Sequence, residues 1–241
     1  MSGYFDIHSH ILPALDDGST SLEETKRMLQ ISYHEGIRNI IATPHFRQGR
    51  FLSTKDEIKK AYKEVQKMIQ EENMDINLYY GNEIYYSHDV ADLLLNKEIY
   101  TLANTDYVLV EFSTVATFNE IKSGLQDLIM NGFCPIIAHF ERYKNLQNKW
   151  GQVEEIIDMG AYIQVNSSSF IGGKDRNRLK FAKKLLKYNM IHFIAADAHG
   201  ETKRPPSFMP CLSMIQKKYG EERVNHIIKI NPSKLINNEI I

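Results

Sequence analysis

The 241-residue sequence is poor in the features that define several specialised protein classes. It has two cysteines, Cys134 and Cys211, without a CxxC spacing, which argues against a disulfide framework and against a thiolate-rich zinc site. No sign of charge dominates: 29 Lys and Arg stand against 30 Asp and Glu, a net charge of −1. Global electrostatics therefore offer no attraction to nucleic acid or to a membrane surface. No apolar run approaches membrane-spanning length, and the first residues do not resemble a signal peptide, so the expected location is the cytoplasm. No low-complexity linker divides the chain, and its length suits one sizeable core; residues 1–241 are expected to form a single domain.

What the sequence does contain is an alternation of short β-like runs and amphipathic helices. Strands are predicted at 4–7, 37–43, 76–80, 107–110, 133–138, 161–165 and 191–196. Between them, helices are expected from Ser21-Leu22-Glu23-Glu24 (read as a capping box) to about His34, and over about 55–72, 88–95, 119–130, 153–159 and 176–188. One or two more follow Pro210. Strands alternating with helices argue for an α/β fold with parallel strands. Six of the seven strands deliver a His, Asp or Glu at or just past the C-terminal end. In a βα barrel those ends converge on one face; an open doubly wound sheet gathers ligands from fewer strands. A seven-stranded (β/α)7 barrel is therefore expected, with its site at the C-terminal ends of the strands.

The delivered set is His8, His10, Asp17, His45, Glu83, Glu111, His139, Asp197 and His199. Nine nitrogen or oxygen donors exceed the needs of one tetrahedral ion, so two or three divalent ions fit better, with Glu83 as a bridging carboxylate. Mixed imidazole and carboxylate ligation suits Mn2+, Fe2+ or Zn2+. A hydroxide bridging such ions would attack phosphorus at neutral pH. Arg142 and Arg204, just past two of these strands, can grip a phosphate with planar forks of donors, and Arg47 and Arg50 are further candidates at the mouth. Cys134 lacks the arginine of a Cys-x5-Arg phosphatase loop, so cysteine-based chemistry is not expected. Asn166 with Ser167 to Ser169 reads as polar support for the site, as a phosphate contact, or equally as an ordinary loop. The basic helix carrying Lys180, Lys183, Lys184 and Lys187 reads as a solvated face.

His8-Ser9-His10 with Asp16-Asp17-Gly18, Thr43-Pro44-His45, Gly81-Asn82-Glu83, Glu111, His139-Phe140-Glu141-Arg142 and Asp197-Ala198-His199 together resemble the polymerase and histidinol phosphatase (PHP) superfamily. Within it, the chain resembles the CpsB/CapC/YwqE group of metal-dependent bacterial protein-tyrosine phosphatases. The resemblance implies a distorted seven-stranded PHP barrel with three ions, usually manganese, with Fe2+, Zn2+ and Mg2+ as alternatives. One ion would take His8, His10, Glu83 and Asp197; a second Glu83, Glu111 and His139; a third Asp17, His45 and His199. Arg142 and Arg204 match phosphate-binding arginines, and family spacing favours Asp17 over Asp16. The implied substrate is the phosphorylated tail of a bacterial tyrosine kinase controlling capsule or exopolysaccharide synthesis, with no nucleic acid partner and no membrane insertion. The group includes homo-oligomers. Competing readings are a small-molecule phosphatase of the histidinol-phosphate type, a nuclease of the superfamily, and a regulatory kinase-docking protein with a structural metal site.

Overall fold

The computed structural model describes residues 3–171 and 175–241. Its strands are β1 (Tyr4–Ser9), β2 (Ile37–Ala42), β3 (His45–Arg47), β4 (Phe51–Leu52), β5 (Asn77–Tyr80), β6 (Glu83–Tyr85), β7 (Tyr107–Glu111), β8 (Cys134–Ile137), β9 (Tyr162–Asn166) and β10 (Phe193–Ala195). All seven expected strands are present. The three additional ones, β3, β4 and β6, are short, and two of them begin on expected site residues, His45 and Glu83.

The strands pair in the orders β1-β2-β5 and β10-β9-β8-β7-β6-β3-β4. Among the described residues every pairing is parallel except the hairpin β3–β4. The hydrogen-bond ladder is thus divided into two sheets, and the sequence explains where. Beyond β2 comes Thr43-Pro44, and Pro44 has no N–H to continue a ladder. Beyond β5 comes Gly81, where an added Cβ would lie 2.8 Å from the Thr101 carbonyl oxygen. Both strands bend at these points and resume as β3 and β6, with Gly81 N–H bonded to Ala42 O and Glu83 N–H to Pro44 O across the bend. At the other border, β1 meets the end of β10 through a single Ser9–Ala198 bridge. Asp197 N–H donates to His8 O there, and His10 N–H to Ala198 O. The Asp6 carboxylate accepts from the backbone N–H groups of Ala196 and His8, taking the place of ladder bonds.

Helices α1 (Leu22–His34), α2 (Lys55–Glu71), α3 (Val90–Leu95), α4 (Phe118–Met130), α5 (Trp150–Asp158) and α6 (Arg176–Lys187) fill the crossovers. Thr54 with Glu57 and Thr117 with Glu120 form reciprocal capping boxes at α2 and α4. The box expected at α1 is only half formed. Ser21 caps the Glu24 N–H, but the Glu24 carboxylate turns to the N–H and hydroxyl of Thr20. After α7 (Met209–Tyr219), the chain runs through α8 (Glu221–Asn225), a π-turn at His226–Ile230 and α9 (Asn231–Ile236).

Two apolar clusters result. The larger lies where the helices pack against the strands. The smaller takes alternate residues of strands, among them Tyr107 and Leu109, Ile136 and Ala138, Phe193 and Ala195, joined by Leu235 of α9. Side chains alternate across a strand with period two. The same face therefore continues from Leu109 to Glu111 within β7, while Asp197 follows the end of β10 by two residues, past the regular strand. Apolar packing and metal-type donors are consecutive stretches of one interior.

Candidate metal centre

Glu83, the first residue of β6, stands at the centre of the donors and is fully buried. Its Oε2 lies 3.1 Å from His8 Nε2, 3.1 Å from His10 Nε2 and 3.0 Å from His45 Nδ1. Its Oε1 lies 2.9 Å from His139 Nε2. Glu111 Oε1 is 3.8 Å from the same His139 nitrogen. His8 and His10, two residues apart at the irregular end of β1, bring their Nε2 atoms to 3.2 Å from each other. Asp197 Oδ1 lies 3.5 Å from His8 Nε2 and 3.6 Å from His10 Nε2. Among the described residues, His8, His10, Glu83 and Asp197 form one group able to hold an ion, His45, Glu83 and Glu111 a second, and His10, His45 and His199 a third.

The neighbours of these rings decide which nitrogen faces inward. His8 Nδ1 is 3.2 Å from Gln164 Oε1, and His10 Nδ1 is 2.7 Å from Asp16 Oδ2. With each Nδ1–H donating outward, each Nε2 faces the centre, the arrangement that orients imidazole ligands in metal sites. Burial opposes protonation, but Glu83 and Asp197 at His8 and Asp16 at His10 raise the pKa of both rings, so an ion bound there takes the place of the Nε2 proton. Asp16 also accepts the N–H of His45 and of Gly18, so its oxygens are committed to the local chain. Asp17 is the more exposed of the two and points its Oδ1 to within 3.5 Å of His45 Nε2 and 3.6 Å of His199 Nε2.

Fit to cations follows from what the protein leaves unsatisfied. Glu83 Oε2 and His139 Nδ1 are buried with no hydrogen-bond partner, although three imidazole nitrogens crowd the carboxylate oxygen. A buried polar atom without a partner costs about 1–3 kcal/mol, and a divalent ion among these donors removes the cost at Oε2. Burial alone would raise the Glu83 pKa, but the surrounding histidines, His8 first, hold it well below the usual carboxylate range. Burial, assisted by Arg142, pushes His139 down to about 4; burial, assisted by His10, pushes His199 down to about 3. Both therefore stay neutral and able to ligate at physiological pH.

Asp197 joins this cluster to the arginines. Its Oδ1 faces the histidines while its Oδ2 accepts from Arg142 Nη2 at 2.7 Å and Asn166 Nδ2 at 2.7 Å, with Arg204 Nη2 paired to the same oxygen. Burial opposes ionisation of Asp197, but His8 and Arg142 together bring its pKa far below normal. Left-handed backbone occurs at His139 (φ +35°), Asp197 (φ +52°) and Arg204 (φ +70°). Such conformations turn a side chain off the regular strand direction and cluster where function requires it. Above the cluster opens a cleft of about 140 Å³ lined by Asp17, Arg47, Arg50, Phe51, Arg142 and Arg204 among others. Phe51 stacks on His45 with ring centroids 5.3 Å apart, and Arg50 lies over Phe51.

All nine expected ligands and both expected arginines thus come together at one place. Asn166 and Ser169 serve as polar support: Asn166 bonds Asp197, and Ser169 donates to buried Glu141, which also accepts from Asn166 N–H. Gln164, Asp6 and Phe51 are functional neighbours that the sequence reading missed. The signal for Gln164 was a polar residue inside an otherwise apolar strand, two positions before Asn166. His34 and His192 lie outside the cluster, bonded to the Gln30 carbonyl and the Ile163 N–H.

The sequence profile described as "Capsular polysaccharide synthesis, CpsB/CapC" matches residues 4–237. The chain is 39% identical over 241 residues to the tyrosine-protein phosphatase CpsB of Streptococcus pneumoniae, covering 98% of this chain and 99% of that one. It is 30% identical over 236 residues to the tyrosine-protein phosphatase YwqE of Bacillus subtilis strain 168, covering 98% and 92%. A crystal structure from work on YwqE of B. subtilis and CpsB of S. pneumoniae, described as unique metal-dependent tyrosine phosphatases, superposes with a TM-score of 0.91 at 29% identity, over 98% of this chain and 96% of that one. A histidinol phosphate phosphatase from Lactococcus lactis, solved with zinc, L-histidinol and phosphate, matches at a TM-score of 0.58 and 12% identity over 91% and 93%, a likeness of fold alone. With the profile spanning nearly its whole length and relatives this similar end to end, the chain belongs to the CpsB/CapC family.

Proposed function

We propose that this chain is a metal-dependent protein-tyrosine phosphatase, a phosphomonoesterase whose two sheets make up one distorted seven-stranded (β/α)7 barrel over a single domain. The observation that carries this reading is Glu83: a buried carboxylate with an unpaired oxygen, ringed by four histidines, beside two arginines that open onto a cleft. Three ions, manganese in preference to Fe2+, Zn2+ or Mg2+, would be held by His8, His10, Glu83 and Asp197; by Glu83, Glu111 and His139; and by Asp17, His45 and His199. When bound, they would supply Lewis acidity toward a phosphoryl oxygen and lower the pKa of water.

The chain's own residues do the rest. Arg142 and Arg204 each spend one N–H on Asp197 and keep further donors for the equatorial phosphoryl oxygens. Asp197, held by three donors, fixes both guanidinium groups before the substrate arrives, so little reorganisation accompanies reaction. Phe51 offers an apolar face beside His45 for a substrate ring. A phenol leaves with a pKa near 10, so the demand on a general acid is small. The family's capsule-synthesis description supports a phosphorylated kinase tail as the substrate, met in the cytoplasm.

The test is turnover by purified, metal-loaded protein on a phosphotyrosine peptide and on histidinol phosphate, with each of the four metals. Preferential hydrolysis of the peptide, highest with manganese, is expected. Preference for histidinol phosphate would overturn the substrate assignment, and full metal content without turnover of either compound would leave a docking role instead.

A further inference from the structure

A second concavity, of about 490 Å³, opens beside the catalytic cleft on the same ends of the strands. Its walls are Tyr85, Tyr86 and Phe112, and α4 closes it with Ser123 and Gly124. These positions tie it to the site: Tyr85 follows Glu83 by two residues, Phe112 follows Glu111 by one, and Tyr85 pairs with Glu111 in the sheet. Arg47, which lines the catalytic cleft, lies over the ring of Tyr85, a wall of the second space, at 4.1 Å, so the two spaces adjoin through this contact.

The pocket is built and held. Tyr86 and Phe112 pack with centroids 5.1 Å apart, and the Tyr86 hydroxyl donates to Asp127. A Cβ at position 124 would lie 2.7 Å from Phe112 and 2.8 Å from Tyr86, so a glycine inside α4 is what lets the helix close on those rings. Glycine in a helix interior costs about 0.5–1 kcal/mol relative to alanine, a cost here tied to the pocket wall. The chemistry also differs from that of the cleft: four arginines line the cleft, whereas the pocket has aromatic walls and Glu120 at its edge.

We propose that this pocket is a specificity subsite for an aromatic residue of the substrate protein, next to the phosphotyrosine. The idea rests on the phosphatase reading above. With the phosphate at Arg142 and Arg204, a peptide leaving the cleft past Arg47 and Tyr85 reaches the pocket within one or two residues. Three aromatic rings there favour an incoming ring through edge-to-face contact and apolar burial. A negative side chain is disfavoured by Glu120 and by the apolar walls.

Steady-state kinetics on phosphotyrosine peptides with Phe or Ala at the positions one and two residues away, on either side, test this. The native enzyme is expected to favour the best Phe peptide over its Ala counterpart by about tenfold in KM, as partial burial of a ring yields. Ser123→Trp, whose new ring fills the pocket from the exposed face of α4, is expected to reduce that ratio to about one. Equal KM values for Phe and Ala peptides in the native enzyme would overturn the subsite alone. No hydrolysis of either peptide would overturn the phosphatase reading and the subsite with it. A Ser123→Trp protein that changes oligomeric state but keeps the Phe preference would assign the pocket to a second copy of the chain.

Discussion

The interior of this protein has two ends built from the same strands, and they follow opposite rules. At one end Leu109, Ile136 and Phe193 pack with Leu235 of α9 without polar demands, and Tyr107 meets its single demand by donating its hydroxyl to the Glu239 carbonyl. At the other, toward the C-terminal ends of the strands, Glu83, Glu111, Asp197 and five histidines crowd together with partners left incomplete. Apolar side chains stabilise by leaving water, whereas buried charges cost energy unless paired. The first end therefore carries stability, and the second concentrates unsatisfied chemistry on a support already rigid. Separation of the two is what allows a site to remain under electrostatic strain without unfolding the chain.

The sharpest way to break that contrast is at its centre. Glu83→Gln keeps the shape but removes the charge shared by His8, His10, His45 and His139. A loss of ~10³-fold or more in kcat/KM, on the order of 4 kcal/mol of transition-state stabilisation, is expected together with loss of bound metal. Elemental analysis and kinetics on one preparation check this, and full metal content would remove Glu83 from the ligand set. Arg142→Ala is expected to keep the metal and lower kcat by roughly 10²–10³-fold, the scale of losing one oriented donor. An unchanged kcat would mean that Arg142 only fixes Asp197.

At the apolar end the signs reverse. Leu235→Ala, at a fully buried position, is expected to cost about 2–5 kcal/mol in urea unfolding while metal stoichiometry stays the same. Coupled loss of metal would show that the two ends are not separable. A subtler contrast comes from His192, outside both ends. Its Nδ1 accepts the Ile163 N–H, and burial, assisted by Arg223, pushes its pKa down from 6.5 to about 4. The fold holds the neutral form, while the unfolded chain takes up a proton below pH 6.5. Stability is therefore present in full above pH 6.5, falls as pH drops, and is lost by about pH 4, a change of about 3 kcal/mol. His192→Asn is expected to remove that part of the pH dependence, and the difference between variant and native unfolding curves measures it.

Much of this architecture is legible along the chain because both signals are local. The seven main strands show as apolar runs, and donors placed just after six of them announce a shared face, since parallel strands joined by helices present their C-terminal ends together. The small strands β3, β4 and β6 are not legible. β3 and β6 exist because Pro44 and Gly81 bend two longer strands, and the pairing that resumes beyond each bend depends on a neighbour distant in sequence; β4 is only the two-residue hairpin partner of β3. Glu24 shows the same limit on a smaller scale, turning to Thr20 where sequence spacing pointed to Ser21.

The choice between Asp16 and Asp17 marks the border most clearly. Adjacent and chemically identical, they differ only in what the fold places around them: Asp16 is taken by His10, Gly18 and the His45 backbone, and Asp17 is left facing His45 and His199. The sequence by itself determined the class of fold, the inventory of donors and the two arginines, because residue type and spacing follow from short-range geometry. Only the tertiary structure decided which oxygen and which ring nitrogen meet, how Asp197 is divided between histidines and arginines, and that an aromatic pocket adjoins the cleft. Those outcomes depend on distances between segments as far apart as His8 and Gln164, and no local pattern encodes them.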